Sequence, residues 1–206
     1  MAFDNVTFPT FPMTLGVNRV ENYQVDIVSN STIEYRRARH RWENYTFSIP
    51  TQTMTDAQKE TIRGFLAQRN HGLASFRFVD PGDPTWDNEL LDLAGASSWY
   101  LYNAFDESTP GGNHPMFNQV TSELVATKNG VPTAIIGTGV TNGVPTINVA
   151  GSGGGDVIRI TGPKYYTVRL ATNFSYALAA LCPGSSPSPR GHQVGSIELQ
   201  EVFGET

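Results

Sequence analysis

Alternation of apolar and polar side chains is the first signal along this chain. Tyr23, Val25 and Ile27 alternate against Gln24, Asp26 and Val28 in YQVDIVS, and NYTFSI sets Tyr45, Phe47 and Ile49 on one side. A period of two puts each set on one face of a strand, so two half-buried strands are expected. At Thr55 the period changes. TDAQ fits a capping box, in which the Thr55 hydroxyl and the Gln58 side chain each bond the other's backbone N–H. Ala57, Ile62, Phe65 and Leu66 then recur at near-helical spacing, with Lys59, Glu60, Arg63 and Arg69 assigned to the wet side. A helix from Asp56 to Arg69 is predicted. Gly72 suits the left-handed residue that ends a helix, and Asn70 and His71 turn their polar groups to the last carbonyls, which makes His71 a surface residue of the cap. Alternation returns in ASFRFVD, with Phe76 and Phe78 inward, so the helix is expected to lie on a sheet of SFRFV and the N-terminal strands.

Between Thr85 and Pro163 the pattern loosens, but NGVPT occurs twice, at Asn129 to Thr133 and Asn142 to Thr146. Asn-Gly before an apolar run is a hairpin signal. SELVAT, TAIIG, TINVAG and DVIRIT are the flanking strand candidates. GSGGG (Gly151 to Gly155) lacks the Lys-Ser/Thr ending of a phosphate loop and no helix pattern follows it, so it reads as a flexible hairpin tip. SSWYLYNAF reads as a strand with Trp99, Leu101 and Asn103 on one face and Tyr100, Tyr102 and Ala104 on the other. YYTVRLATNFSYAL and GSIELQEVF return to clean alternation around CPGSSPSPRGH, an expected exposed, mobile loop. The expected class is mainly β (α+β): a β-sandwich-like N-terminal half with one packed helix, plus a β-rich central and C-terminal region.

Composition supports this. Twenty glycines, 13 prolines and 16% charged residues favour strands and turns over a helical bundle. A net charge of -5 argues against a protein whose main task is to hold nucleic acid, since phosphate neutralisation needs clustered Lys and Arg. A single cysteine, Cys182, excludes an intrachain disulfide and points to a reducing compartment. MAFDNVTFPTFPM lacks the charged and apolar regions of a signal peptide, and no apolar run reaches bilayer length. A soluble chain with no membrane insertion is expected.

Two clusters are candidates for chemistry. Arg36, Arg37, Arg39 and Arg41 lie in NSTIEYRRARHRW, where a long strand would present them to solvent or to a neighbouring subunit; nucleic-acid contact fits the acidic balance less well. Asp80, Asp83, Asp87 and Glu89 have the density of a calcium site, but the EF-hand pattern is absent and Pro81 and Pro84 separate them. Turn formation by Asp-Pro explains them more simply. On that reading Asp83→Asn leaves folding nearly intact and calcium leaves stability unchanged. His40, His71, His114 and His192 have no metal-ligand spacing, and no nucleophile motif occurs. No enzyme, cofactor or metal is expected.

The order of these segments resembles the distal tail proteins of long-tailed phages and gene transfer agents. The resemblance rests on Phe11-Pro12, YQVDIVS, IEYRRARHRWENYTFSI, the helix TIRGFLAQRNHGLASFRFVDPGD with Gly72, Phe76, Arg77, Phe78 and Asp80 in the family's order, and YTVRLATNF … GSIELQEV. It covers residues 1–90 and 164–206, which it implies form a ring-forming core, while 91–163 form a β-rich insertion or second small domain. It implies a virion structural protein made in the bacterial host cytoplasm and placed at the tail tip. There a homo-oligomeric ring, expected as a hexamer, joins the tail tube protein to the baseplate hub, and DNA passes through its channel. Arg36, Arg37, Arg39, Arg41, Asp80 and Asp83 are then the candidates for the subunit interface. The alternative is a glycan-binding module of the tail tip, with Trp86, Trp99, Tyr100 and Tyr102 as stacking aromatics.

Overall fold

The structure, a computed structural model, describes residues 3–9, 16–22, 25–30, 33–38, 44–50, 52–69, 73–103, 114–172, 175–178 and 191–203. The chain is mainly β, with one α-helix among these residues. In chain order the elements begin with β1 (Phe3–Thr7), β2 (Asn18–Asn22), β3 (Val25–Asn30), β4 (Ile33–Ala38), β5 (Asn44–Ile49), β6 (Gln52–Thr55), α1 (Asp56–Gln68) and β7 (Ser75–Phe78). There follow β8 (Thr85–Leu90), β9 (Ser98–Tyr100), β10 (Tyr102–Asn103), β11 (His114–Pro115), a 3₁₀ turn (Thr121–Glu123), β12 (Val125–Lys128), β13 (Val131–Thr133) and β14 (Ile135–Thr141). The last are β15 (Val144–Val149), β16 (Ile158–Pro163), β17 (Tyr166–Leu170), β18 (Tyr176–Leu178), β19 (Gly191–Val194) and β20 (Ile197–Glu201). Two compact units form: one of Met1–Asp4, Phe8–Phe76 and Val168–Val202, the other of Asn5–Thr7, Arg77–Thr167 and Phe203–Thr206.

A six-stranded sheet in the order β1-β7-β17-β20-β5-β2 includes the main strands of the first unit. In β5 the expected alternation holds: Tyr45, Phe47 and Ile49 are buried while Asn44, Thr46 and Ser48 are half-buried. β20 pairs antiparallel with β5, setting Leu199 opposite Phe47, and turns Ile197, Leu199 and Glu201 inward. The buried Glu201 carboxylate accepts the Tyr45 backbone N–H at 3.1 Å, which offsets part of its desolvation. β3 and β4 form an antiparallel hairpin in which Arg37 stands opposite Asp26 and Arg36 opposite Ile27.

Helix α1 starts as its sequence predicts. The Thr55 hydroxyl accepts the Gln58 N–H at 3.3 Å and Gln58 Oε1 accepts the Thr55 N–H at 3.0 Å. Ile62 and Leu66 are buried, and the Phe65 ring meets Phe8 and Phe76 edge-on at centroid distances of 5.4 and 5.0 Å. The helix therefore does pack on β7. It also runs beside β6 and β19 of a three-stranded sheet ordered β18-β19-β6. Two expected faces are exchanged: Ala57 is exposed, whereas Lys59 and Arg69 are buried. Both long side chains bury their stems and pair their heads. Lys59 Nζ lies 3.2 Å from Glu60 and 3.3 Å from His192 of β19, and Arg69 holds Asp4 at 2.9 Å with its guanidinium 3.7 Å from the Phe65 ring centroid. Asn70, His71 and Gly72, the expected cap, lie outside the described residues.

The second unit holds two larger sheets, β13-β12-β16-β8 and β14-β15-β9, and the pair β10-β11. Both Asn-Gly pairs make the predicted two-residue turns: φ is 51° and 82° at Asn129 and Gly130, and 53° and 77° at Asn142 and Gly143. The prolines of NGVPT fall beyond each turn, inside β13 and β15. Trp86, Trp99, Leu101, Ile147, Ile158 and Ile160 are buried in this unit. GSGGG is not a hairpin tip, because β15 and β16, which it joins, belong to different sheets. The connection is tied down by Asp156, whose carboxylate accepts the Gly153 N–H and Asn129 Nδ2, each at 2.8 Å. Those two donors hold the Asp156 carboxyl below its ordinary range. Gly162 marks a bulge in β16, at φ 151° with Glu123 O only 2.8 Å from where a Cβ would stand, so no larger residue fits.

Candidate functional site

The acidic corner is a turn with a charged anchor behind it. Asp80 O accepts the Asp83 N–H at 3.1 Å, Asp80 Oδ1 accepts the Gly82 N–H at 2.9 Å, and Pro81 supplies the fixed φ of the first central position. Asp80 is itself buried. Behind the turn, Lys164 is brought to the corner by its own backbone N–H, which donates to Pro84 O at 2.8 Å. Its buried ammonium reaches Asp83 Oδ1 and Asn103 Oδ1, each at 2.9 Å, and Glu89 at 3.5 Å. Asn103 Nδ2 closes the network by donating to Asp83 Oδ2 at 2.8 Å and to the Tyr166 hydroxyl at 3.0 Å. Asp83 thus has a cation and an amide on its two oxygens, so an amide in its place would meet one of these donors with another donor. The expectation that Asp83→Asn is nearly neutral does not survive this geometry. Chemically the corner is an internal ion pair in which an ammonium sits between the two carboxylates.

Lys164, Asn103 and Tyr166 had no part in the sequence reading of the corner. Lys164 lies 81 positions from Asp83, and no local period links them. A second cluster escaped in the same way: His192 Nε2 bonds the Asp56 carboxylate at the start of α1, with Lys59 alongside, and chiefly that bond pulls the Asp56 carboxyl below its ordinary range. No group of three or more His, Cys, Asp or Glu side chains able to hold a metal ion occurs among the described residues.

Of the arginines, Arg36 and Arg37 lie on β4, while Arg39 and Arg41 fall outside the described residues. In the same unit the outward face of β2, β5 and β20 forms an open polar trough of about 610 Å³, with Asn22, Asn44, Thr46, Glu198 and Gln200 along it. The aromatics weighed as a sugar platform are divided by burial. Trp86 and Trp99 are core residues, 0% and 3% exposed, whose ring N–H groups donate to Tyr102 O and Ser152 Oγ, each at 3.2 Å. Tyr100 and Tyr102 are half-buried with ring centroids 5.2 Å apart. Neither tryptophan offers a free face on which a sugar ring could stack.

The fold defined above, mainly β with one capped helix and two units, has a counterpart among solved structures. The chain is similar along almost its whole length to a chain in a structure described as the virion of a native gene transfer agent (GTA) particle: TM-score 0.50, 15% identity, 98% of this chain and 99% of that chain covered. At that identity the likeness is one of fold. No protein-family model and no curated protein sequence matches this chain.

Proposed function

We propose that the chain is a virion structural protein, the subunit of a distal tail ring that joins the tail tube to the baseplate hub at the tip. The observation that carries the reading is the end-to-end likeness of fold to a chain of a gene transfer agent virion, with almost nothing unmatched on either side. It agrees with the resemblance of segment order described above, which was drawn from sequence alone. In this reading 1–90 and 164–206 form the ring core and 91–163 an insertion on it. The partners are further copies of the chain in a hexamer, the tube protein and the hub protein. A net charge of -5 suits a channel through which DNA passes without adhering. The role is architectural: no reaction is assigned to the chain.

Quantitative mass spectrometry of purified particles tests the proposal. The chain should be present at a fixed ratio to the tube protein, near six copies per particle if the hexameric ring is right, and deletion of its gene should yield particles with unfinished tails. Absence from particles, or normal tails in the deletion strain, would overturn the reading.

A further inference from the structure

The Lys164 corner holds more than an ion pair needs. Lys164, Asn103, Asp83, Glu89 and Tyr166 all belong to the second unit. Among the charged groups stands a carboxamide: Asn103 is 4% exposed and Lys164 5%, and Lys164 Nζ lies 2.9 Å from Asn103 Oδ1, the oxygen bonded to the carbonyl carbon Cγ. An amine and an amide held together away from water are the two reactants of a transamidation, and holding them so replaces an encounter in solution. Asp83 touches both nitrogens that such a reaction exchanges. Its Oδ1 is 2.9 Å from Lys164 Nζ, and its Oδ2 accepts Asn103 Nδ2 at 2.8 Å. Glu89 lies 3.5 Å from Nζ, and the Tyr166 hydroxyl takes a second bond from Nδ2 at 3.0 Å. Trp86, fully buried with its ring centroid 6.0 Å from Nζ, walls the group.

The geometry points to an isopeptide bond between Lys164 and Asn103, formed by the folded chain itself. Lys164 Nζ first gives a proton to Glu89 and becomes a neutral amine. Its lone pair attacks Asn103 Cγ, and an electron pair of the C=O bond moves onto Oδ1. Asp83 Oδ1 takes a second proton from Nζ, and Asp83 Oδ2 hands a proton to Nδ2. The carbonyl re-forms, the Cγ–Nδ2 bond breaks, and Nδ2 leaves as ammonia. One Nζ–Cγ amide replaces one carboxamide, the proton on Glu89 passes to solvent, and nothing is oxidised or reduced. Two carboxylates beside one lysine thus match the two protons that its nitrogen loses on becoming an amide. The reaction is a single maturation of the chain on itself, with no external substrate, and it does not depend on the virion reading. Asn103 of β10 and Lys164, between β16 and β17, are 61 positions apart, so the bond closes most of the region 91–163 into a covalent loop. It constrains the unfolded chain as a disulfide does, in a chain whose single cysteine gives no intrachain disulfide.

Mass spectrometry of the purified full-length chain tests this. Intact wild type should be lighter than its sequence by one ammonia. Trypsin should leave Phe78–Lys128 joined to Ile160–Arg169, with no cut after Lys164. Lys164→Arg keeps a cation on a long stem, but a guanidinium stays protonated and does not attack, so this variant should have its full sequence mass. Asp83→Asn removes the group that carries the proton between the two nitrogens, and it too should have its full mass. The wild-type measurement decides the matter even if a variant fails to fold. Wild type at its full sequence mass would overturn the proposal. An ammonia loss that maps to Asn129-Gly130 or Asn142-Gly143, where a succinimide has the same mass, would overturn it as well, and so would a cross-link that still forms in Asp83→Asn.

Discussion

Lys164 is the buried cation of the acidic corner. It is 5% exposed, and its ammonium faces Asp83, Glu89 and Asn103 at once. Lys164→Met keeps the stem's packing but leaves two neighbouring carboxylates without their cation, which should destabilise the fold by about 3 kcal/mol. Asp83→Asn should cost about 2 kcal/mol, because one hydrogen bond to a charged partner is lost and a donor is set against a donor. Urea midpoints measure both, and a Lys164→Met midpoint equal to wild type would mean that the network is dispensable. Tyr165 makes a separate prediction in alkali. Burial first, and the bond from its hydroxyl to the Glu123 carboxylate second, push its pKa from 10.0 up to about 12. The folded state therefore keeps a proton that the unfolded chain gives up sooner. The stabilisation is complete below pH 10 and is lost as pH rises toward 12. Tyr165→Phe has no such proton, so the stability gap between wild type and variant should close across that window. Parallel curves of stability against pH would rule the linkage out.

At the scale of the element, α1 is fixed at its start by chemistry and along its length by packing. Phe65→Ala removes the ring that meets Phe8, Phe76 and the Arg69 guanidinium, and should cost on the order of 3 kcal/mol. One residue before it, Gly64 is exposed with open space where a Cβ would stand, so Gly64→Ala should stabilise by about 1 kcal/mol. Opposite signs at adjacent positions test the placement of the helix, and two equal effects on the thermal midpoint would contradict it. These features were legible beforehand because they are local. The capping box spans four residues, both Asn-Gly turns need only the pair itself, and the alternation of β5 and β20 is written in consecutive side chains. β19 was hidden for the converse reason. Gly191-His192-Gln193-Val194 has no apolar alternation and is a strand because its backbone pairs with β6 and β18. The two exchanged faces of α1 have the same origin: Lys59 and Arg69 are buried by partners at positions 192 and 4, which helical spacing alone does not reveal. Likewise the acidic corner could be read as a turn from Asp80-Pro81-Gly82-Asp83, while the lysine that anchors it could not.

For the whole molecule, the proposed ring requires two different complementary faces on each subunit, since a closed cyclic assembly is built from head-to-tail contacts. The arginine segment is the candidate for one of them, because guanidinium groups pair readily with carboxylates on a neighbour through two parallel hydrogen bonds. The register of β3 and β4 decides which arginines to reverse. Arg37 stands opposite Asp26, so a glutamate there would set like charges against each other inside the hairpin and blur a folding defect with an assembly defect. Arg36 stands opposite Ile27. Arg36→Glu combined with Arg39→Glu should therefore leave the isolated subunit folded, with unchanged circular dichroism and thermal midpoint, while preventing ring closure and giving particles with unfinished tails in electron microscopy. Intact tails and normal particle function in the double arginine variant would remove this segment from the interface.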